Sequence, residues 1–290
     1  MIIGVIHPGE MGAAIGALLT RRGHEALWAS AGRSGATGLR ARGAGLADAG
    51  SVEALAGRAE VILSVCPPHV ALDVARTVGS AGFGGLYVDA NAVSPETAHA
   101  VGAAVQAGGA THVDGGIIGP PPGVAGSTRL YLSGAAAGRV AEIFEGTELG
   151  PVVLAGEPGV ASALKMAYAA WTKGSAALLL ATLAAARAEG VEEALRAEWE
   201  LSQPGLLGRA EAAAESAAKK GWRWVGEMEE IAATLAASDL PDGFHQAAAE
   251  LFSRSGRDGT AAADARTLEL VLGNLVPGAR SEEMGGLQNE

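Results

Sequence analysis

Seven short apolar runs punctuate the first half of the chain: Ile2–Ile6, Glu25–Ala29, Val61–Cys66, Leu86–Asp89, Thr111–Asp114, Arg129–Ser133 and Val152–Leu154. Helix-period segments such as Met11–Arg22 and Ala137–Phe144 separate most of them. Parallel strands need a long crossover, usually a helix, so this alternation predicts βαβ units and a parallel sheet. After Gly159 the strand signals stop. Ala161–Ala188 reads as one long helix with a single interruption at Gly174. Further helices are predicted around Val191–Leu201, Leu206–Lys219, Val225–Ala237, Gly243–Ser253 and Asp264–Leu272. The expected architecture is an α/β domain over residues 1–157, then an all-α domain over 158–276 that begins with a long interdomain helix. Residues 277–290 read as a mobile tail.

The first strand runs into Gly4-Val5-Ile6-His7-Pro8-Gly9-Glu10-Met11-Gly12 and then an Ala-rich helix. A buried strand, a glycine turn and a helix N-terminus together make a cradle for a dinucleotide pyrophosphate, which identifies the α/β domain as Rossmann-like. Gly9 lets the backbone approach the phosphates, and Gly12 lets helix and strand pack closely. His7, Pro8, Gly9, Glu10 and Met11 are the expected contacts. His7 stands where the usual G-x-G-x-x-G has its first glycine. A residue before proline is pushed toward extended conformations, so His7-Pro8 is expected to support the turn without glycine, with the His7 ring near the pyrophosphate or the nicotinamide ribose.

Sites for NAD place an acid about 20 residues after the glycines, on the ribose 2′-OH. The corresponding stretch here, Trp28–Ser34, holds no carboxylate. Ser30, Arg33 and Ser34 offer hydroxyls and a guanidinium that suit a 2′-phosphate, which points to NADP(H). Arg33 could equally be one solvated loop arginine, and Arg40 and Arg42 read as a solvated helix face. Ligands bind outside the carboxyl ends of strands in open α/β sheets. The segment Cys66-Pro67-Pro68 should therefore border the cofactor, with Cys66 as a small buried hydrophobe and not a nucleophile. Asn91, Gly116, Ile117 and Ile118 lie at strand ends where a nicotinamide ring and a substrate would meet, although Gly, Asn and Asp also favour ordinary turns.

The net charge of −11 and a pI near 5.1 argue against nucleic acid or a membrane surface as partner. Cys66 is the single cysteine, so no intrachain disulfide is possible and a reducing compartment fits. No signal-peptide pattern opens the chain, and the apolar run Ala176–Ala186 is far shorter than the roughly 20 residues of a bilayer span. A cytoplasmic protein acting on a small molecule is expected. No His/Cys/Asp spacing supports a metal site.

These motifs, in this order, resemble the β-hydroxyacid dehydrogenase superfamily, the relatives of 6-phosphogluconate and 3-hydroxyisobutyrate dehydrogenases. Its opening G-x-I-G-x-G-x-M-G is similar to Gly4–Gly12 except at His7. Its D-x-S-T-x-x-P resembles Asp89–Pro95, with Asn91 in the serine position. Its D-A-P-V-S-G-G resembles Asp114–Pro120, and its catalytic G-x-G-x-x-x-K-x-x-N-N resembles Gly159–Ala169. The last match places the family's lysine on Lys165. The resemblance covers roughly residues 1–190. Arg223–Ile231 resembles an uncharacterised helical domain found attached to such cofactor domains. The resemblance also implies a homodimer through the helical halves.

Lys165, Tyr168 and Thr172 are spaced i, i+3 and i+7 and share a helix face, which Ser162 joins one turn earlier. A lysine early in an apolar helix must reach solvent or line a cavity, and in a cavity it is a suitable general acid for carbonyl reduction or base for alcohol oxidation. A snorkelling surface lysine is the alternative. The serine and asparagine that the family uses to hold substrate are Ile118 and Tyr168 here, so a less polar or larger substrate than a small 3-hydroxy acid is expected. Arg223 and Glu227 are placed to pair at i, i+4, and Glu227 and Glu230 read as a solvated face. Glu229 or Glu230 stands where the family carries a second lysine, which would suit a cationic or amine substrate. His245 is a further candidate cleft residue, with a capped or core-edge role as its alternative. Three readings follow: an NADP-dependent oxidoreductase using Lys165, an imine reductase-like enzyme using Tyr168, or an NADP-binding protein without activity.

Overall fold

The computed structural model describes residues 1–276, so the tail expected over 277–290 lies outside the described residues. Met1–Ala167 forms one compact unit, and the chain from Tyr168 onward forms a second.

In the first unit β1 (Ile2–Ile6) leads into α1 (Glu10–Arg21), then β2 (Glu25–Trp28), α2 (Gly35–Gly43), β3 (Ala47–Asp48) and α3 (Val52–Ala56). There follow β4 (Val61–Ser64), a 3-10 turn at Pro68–Val70, α4 (Ala71–Ser80), β5 (Leu86–Asp89), α5 (Pro95–Gln106) and β6 (Thr111–Ile118). β7 (Thr128–Ser133), α6 (Ala137–Phe144) and β8 (Leu149–Val153) complete the sheet. Its order is β3-β2-β1-β4-β5-β6-β7-β8. The strands are parallel except that β7 runs antiparallel to β6.

Both faces of the sheet are covered over its centre, so the central strands are apolar on both sides. Ile3, Val5, Val61, Leu63 and Val88 pack under α1 and α6, while Ile6, Ile62 and Tyr87 pack under α3, α4 and α5. In register across the sheet, Ser64 lies beside Asp89, Asp89 beside Asp114, and Asp114 beside Ser133. All four are buried, so a polar row crosses the carboxyl edge of an otherwise apolar sheet.

Three departures from expectation have physical causes. β3 is only two residues long at an exposed edge, too short to give a periodic signal. β6 continues through Gly115 and Gly116 to Ile118, where a turn was an open reading. Those glycines permit close approach: a Cβ on Gly115 would lie 3.0 Å from the Asp89 carbonyl oxygen, and one on Gly116 would lie 2.9 Å from that of Ala161. Gly116, Ile117 and Ile118 are therefore strand residues paired with Tyr131, Leu130 and Arg129.

The long helix α7 (Val160–Ala188) carries the chain from the first unit into the second. There α8 (Glu192–Ser202), α9 (Leu206–Ala236), α10 (Gly243–Arg254) and α11 (Ala265–Leu275) follow. The two helices expected over Leu206–Lys219 and Val225–Ala237 are one, α9. Gly221, between the two expected helices, is buried where a Cβ would lie 2.6 Å from Ser255 Oγ. It admits the end of α10 against α9 and does not end a helix. α7, at 29 residues, is also long and apolar enough to cross a membrane by length and composition alone, unlike the shorter run read from sequence. It sends Lys173 into an ion pair with Glu227 and Arg187 into one with Glu192.

Candidate active site

The strand order reverses between β1 and β4, and the crevice at such a switch point is where α/β sheets take their ligands. The β1–α1 turn forms one wall. Gly9 is the N-cap of α1, and no side chain caps it, so the first-turn N–H groups of Glu10, Met11 and Gly12 remain available to an anion. A Cβ on Gly9 would meet only the His7 carbonyl oxygen, at 4.0 Å, whereas one on Gly12 would sit 2.7 Å from that atom. Gly9 is thus open to a ligand and Gly12 is fixed by close packing. These features fit a dinucleotide pyrophosphate.

His7 corrects the extended conformation expected before a proline. Its φ is +63°, the left-handed region, so it adopts the backbone that a glycine would supply. The Gly9 N–H donates to the His7 carbonyl at 2.7 Å, and this tight turn dictates the conformation against the pre-proline preference. The imidazole is partly buried, and its pKa is pushed down to about 4 by burial and by the charge of Arg33. The ring is therefore neutral at physiological pH.

The Arg33 N–H donates to the Ser30 carbonyl at 3.0 Å, and its guanidinium has no hydrogen bond or ion pair among the described residues. Its charge acts on His7 and also on Cys66, one on either side of the switch point. Arg40 reaches the same loop, donating to the Pro8 carbonyl at 3.4 Å. Ser34 is the N-cap of α2 and accepts from the Thr37 N–H. Ser30 bonds Asp48, whose carboxyl is held below its ordinary pKa first by the Gly50 N–H and then by Ser30. Asp48 was missed in the sequence. The stretch after β2 indeed lacks an acid, but the two-residue strand beside it supplies one.

The opposite wall is formed by the ends of β4 and β5. Cys66 is buried and its thiol is pushed up to about 12, chiefly by burial, so it is no nucleophile. Pro67 is exposed and Pro68 opens the 3-10 turn. Asn91 is 2% exposed; its Oδ1 accepts from the Cys66 N–H at 2.5 Å, and its Nδ2 donates to Ser64 Oγ and to Asp89. The amide expected to touch cofactor and substrate is instead engaged as a strut between two strand ends.

Asp114 organises the far side. Its Oδ2 accepts from Ser133 Oγ at 2.9 Å and from the N–H groups of Gly159 and Ser162 at 2.7 and 3.0 Å, and its Oδ1 accepts from Ser162 Oγ at 2.5 Å. The carboxylate thereby caps the first turn of α7 from β6. One turn on, Lys165 packs directly over Gly116, with its Cβ 3.0 Å from the position a Gly116 Cβ would take. Lys165 is half-buried, and its ammonium has no hydrogen bond or ion pair among the described residues. Ile118, two residues on from Gly116 in β6, shares its face and is 4% exposed.

In the second unit Tyr168 is 46% exposed, and its carbonyl accepts from Thr172 Oγ1 at 3.1 Å. His245 is buried under Gly174, with Nε2 3.2 Å from the Ala170 carbonyl oxygen. Its geometry is that of a packing residue between α7 and α10. Glu227 pairs with Lys173, and at 15% side-chain exposure it is not part of a solvated face.

A family model described as NADP oxidoreductase, coenzyme F420-dependent, matches residues 2–92, and a domain of unknown function, DUF1932, matches residues 186–255. A conserved protein of unknown function, reported to be structurally similar to 3-hydroxyacid dehydrogenases, shares 29% identity over 87% of this chain and 97% of its own, with a TM-score of 0.66. The Mycobacterium tuberculosis 3-hydroxyisobutyrate dehydrogenase shares 17% over 93% and 97%, with a TM-score of 0.67. Residues 2–92 thus match an NADP oxidoreductase family model, and the fold is similar to that of 3-hydroxyacid and 3-hydroxyisobutyrate dehydrogenases. The Aspergillus terreus reductive aminase, solved with NADPH and ethyl levulinate, has the same fold at 20% identity over 93% and 97%, with a TM-score of 0.55. No curated protein sequence matches the chain.

Proposed function

We propose that the protein is an NADP(H)-dependent oxidoreductase that interconverts a carbonyl and a hydroxyl carbon in a small organic substrate. The observation that carries this reading is Lys165, unpaired and half-buried over Gly116, in the same compact unit as the open Gly9 turn. NADP(H), when bound, supplies or accepts the hydride. The first-turn N–H groups of α1 hold its pyrophosphate, and Arg33, with Arg40 behind it, meets a 2′-phosphate. Lys165 gives a proton to the developing alkoxide in reduction and takes it back in oxidation. Ile118 sets an apolar wall on the Lys165 face and disfavours small polar acids.

Two further features of the reading concern assembly and cofactor choice. Tyr168, Trp171 and Leu178 form an exposed stripe along α7, 46, 71 and 53% exposed, which suits a homodimer through the helical unit; a light-scattering mass of one chain would refute it. Asp48 beside Ser30 favours the rival cofactor, NAD(H), because a carboxylate bonds a ribose 2′-OH and repels a 2′-phosphate. Titration with NADPH and NADH decides between Arg33 and Asp48, and tighter NADH binding rejects the NADP reading. Absorbance at 340 nm with ketone, hydroxy-acid and cyclic-imine panels then identifies the substrate class. Lys165→Ala should abolish the turnover found. Unchanged turnover, with loss in Tyr168→Phe, would favour the imine reductase-like reading, and cofactor binding without turnover the inactive one.

A further inference from the structure

The helical unit holds a groove that the proposed chemistry does not use. It has a volume of ≈ 290 Å³ and runs between α7 and α9. Thr172, Ser175 and Leu179 line it from one helix, Arg209, Ser216 and Trp224 from the other, and alanines from both form its floor. Seven residues of α7 separate Thr172 from Leu179, a length of about 10 Å at the helical rise. An apolar floor with a few convergent polar groups is the usual make-up of a small-molecule pocket.

Charge selects what such a groove takes. Most cations of known partnership in this unit lie close to an acid: Lys173 pairs with Glu227, Lys219 with Glu215, Arg196 with Glu192 and Arg254 with Glu250. Arg209 differs. Its neighbours at i±3 and i±4 on the helix are Gly205, Leu206, Ala212 and Ala213, and no ion pair or hydrogen bond engages its guanidinium among the described residues. Trp224 forms a fixed wall, with the Phe252 ring edge-on at 5.0 Å and Lys173 Nζ 5.2 Å from its centroid. Lys173 brings no net charge, because Glu227 compensates it. The hydroxyl hydrogen of Thr172 is held by the Tyr168 carbonyl, whereas Ser175 and Ser216 have no side-chain hydrogen bond among the described residues and can donate to a ligand.

We propose that this groove binds a small organic anion, with a carboxylate on Arg209 and an apolar body lying along the alanines and against Trp224. Arg209 is exposed and its charge is uncompensated among the described residues, so it attracts an anion and repels a cation, while the alanines and Trp224 receive an apolar body. The proposal does not depend on the oxidoreductase reading, since every residue it uses lies in the second unit. A second copy of the chain laid along α7 is the rival occupant.

Calorimetric titration of the full chain with 4-phenylbutyrate tests it, with 4-phenylbutanol as the uncharged control. Saturable binding is expected for the acid, and Arg209→Gln should weaken it by about tenfold or more, the effect of losing a charge-assisted hydrogen bond. Trp224→Leu should weaken it by roughly threefold to tenfold through lost aromatic contact. Ser216→Leu, which fills the groove without touching Arg209, should abolish binding, and Lys220→Gln on the exposed side of α9 should leave it unchanged. Far-UV circular dichroism identifies any variant that fails to fold. Equal affinity in Arg209→Gln, or equal affinity for the alcohol, overturns the proposal. So does the absence of saturable binding up to about 10 mM, and if the chain is then a dimer by light scattering, the groove belongs to the second copy.

Discussion

Replacing Asp114 by alanine should loosen the start of α7 more than any other single change in the first unit. The carboxylate is fully buried and accepts hydrogen bonds from Ser133 Oγ, Ser162 Oγ, Gly159 N and Ser162 N. The two hydroxyls can rotate toward other acceptors, but the two N–H groups are fixed by the helix. Each buried donor left without an acceptor costs about 1–3 kcal/mol, and a favourable charge at the N-terminus of a helix is lost besides. Water can enter beside exposed Val160, so the lower half of that range applies, and Asp114→Ala should lose about 3–4 kcal/mol. Asp114→Asn keeps one carbonyl acceptor and should lose about half as much. Urea denaturation followed by far-UV circular dichroism measures the total. Hydrogen exchange of peptides spanning residues 159–168 locates the effect and should show faster exchange there, with the peptides of β1 and α1 unchanged. A loss below about 1 kcal/mol, or exchange that rises uniformly over the unit, would refute the claim that Asp114 clamps α7 and thereby positions Lys165.

Two other outcomes follow from buried geometry. His7→Gly should be more stable than His7→Ala by about 1 kcal/mol, because both lose the ring but only glycine adopts a φ of +63° without strain; thermal unfolding checks it, and equal stability would show that residue 7 is not left-handed in solution. His112 is buried and its pKa is pushed down to about 4 from 6.5 by burial, with His99 adding to the shift and Asp114 opposing it. The unfolded chain then binds a proton that the folded chain refuses between pH 6.5 and 4, so stability is full above pH 6.5 and falls as the pH drops through that window. The stability of wild type relative to His112→Gln should fall by about 3 kcal/mol between pH 7.5 and pH 4 in urea titrations, and a constant difference would refute the burial argument.

The alternation of strands and helices was legible because both faces of the sheet are covered, so each strand stands out as an apolar run. The switch from α/β to all-α at Gly159 was legible for the complementary reason, the loss of period-2 signals. Single glycines misled, since a glycine marks a turn or a close approach and the sequence does not say which. Gly116 and Gly221 both serve close approach, one beneath Lys165 and one beneath Ser255. Asn91 and Asp48 were hidden differently. What an amide or a carboxylate touches depends on a neighbouring strand, and no spacing within one segment contains that strand's register.

His7 and Ile118 together indicate what has changed in this chain relative to the motifs it resembles. His7 takes the left-handed conformation that a glycine would supply, and Ile118 occupies a regular, paired position in β6. The non-glycine residue at 7 costs of order 1–3 kcal/mol in strain, which persists only where surrounding structure dictates the conformation. Here the turn bond from Gly9 and the close packing of Gly12 on the same carbonyl dictate it. The geometry that would receive a pyrophosphate is therefore independent of the residue at 7, whose ring is neutral and adds no charge to it. At 118 the exchange replaces a hydroxyl by a buried apolar wall on the face that carries Lys165. On the proposed reading, an open pyrophosphate turn and Lys165 stand beside an apolar position 118, and turnover lost in Lys165→Ala is the result that separates a redirected active site from an inactive one.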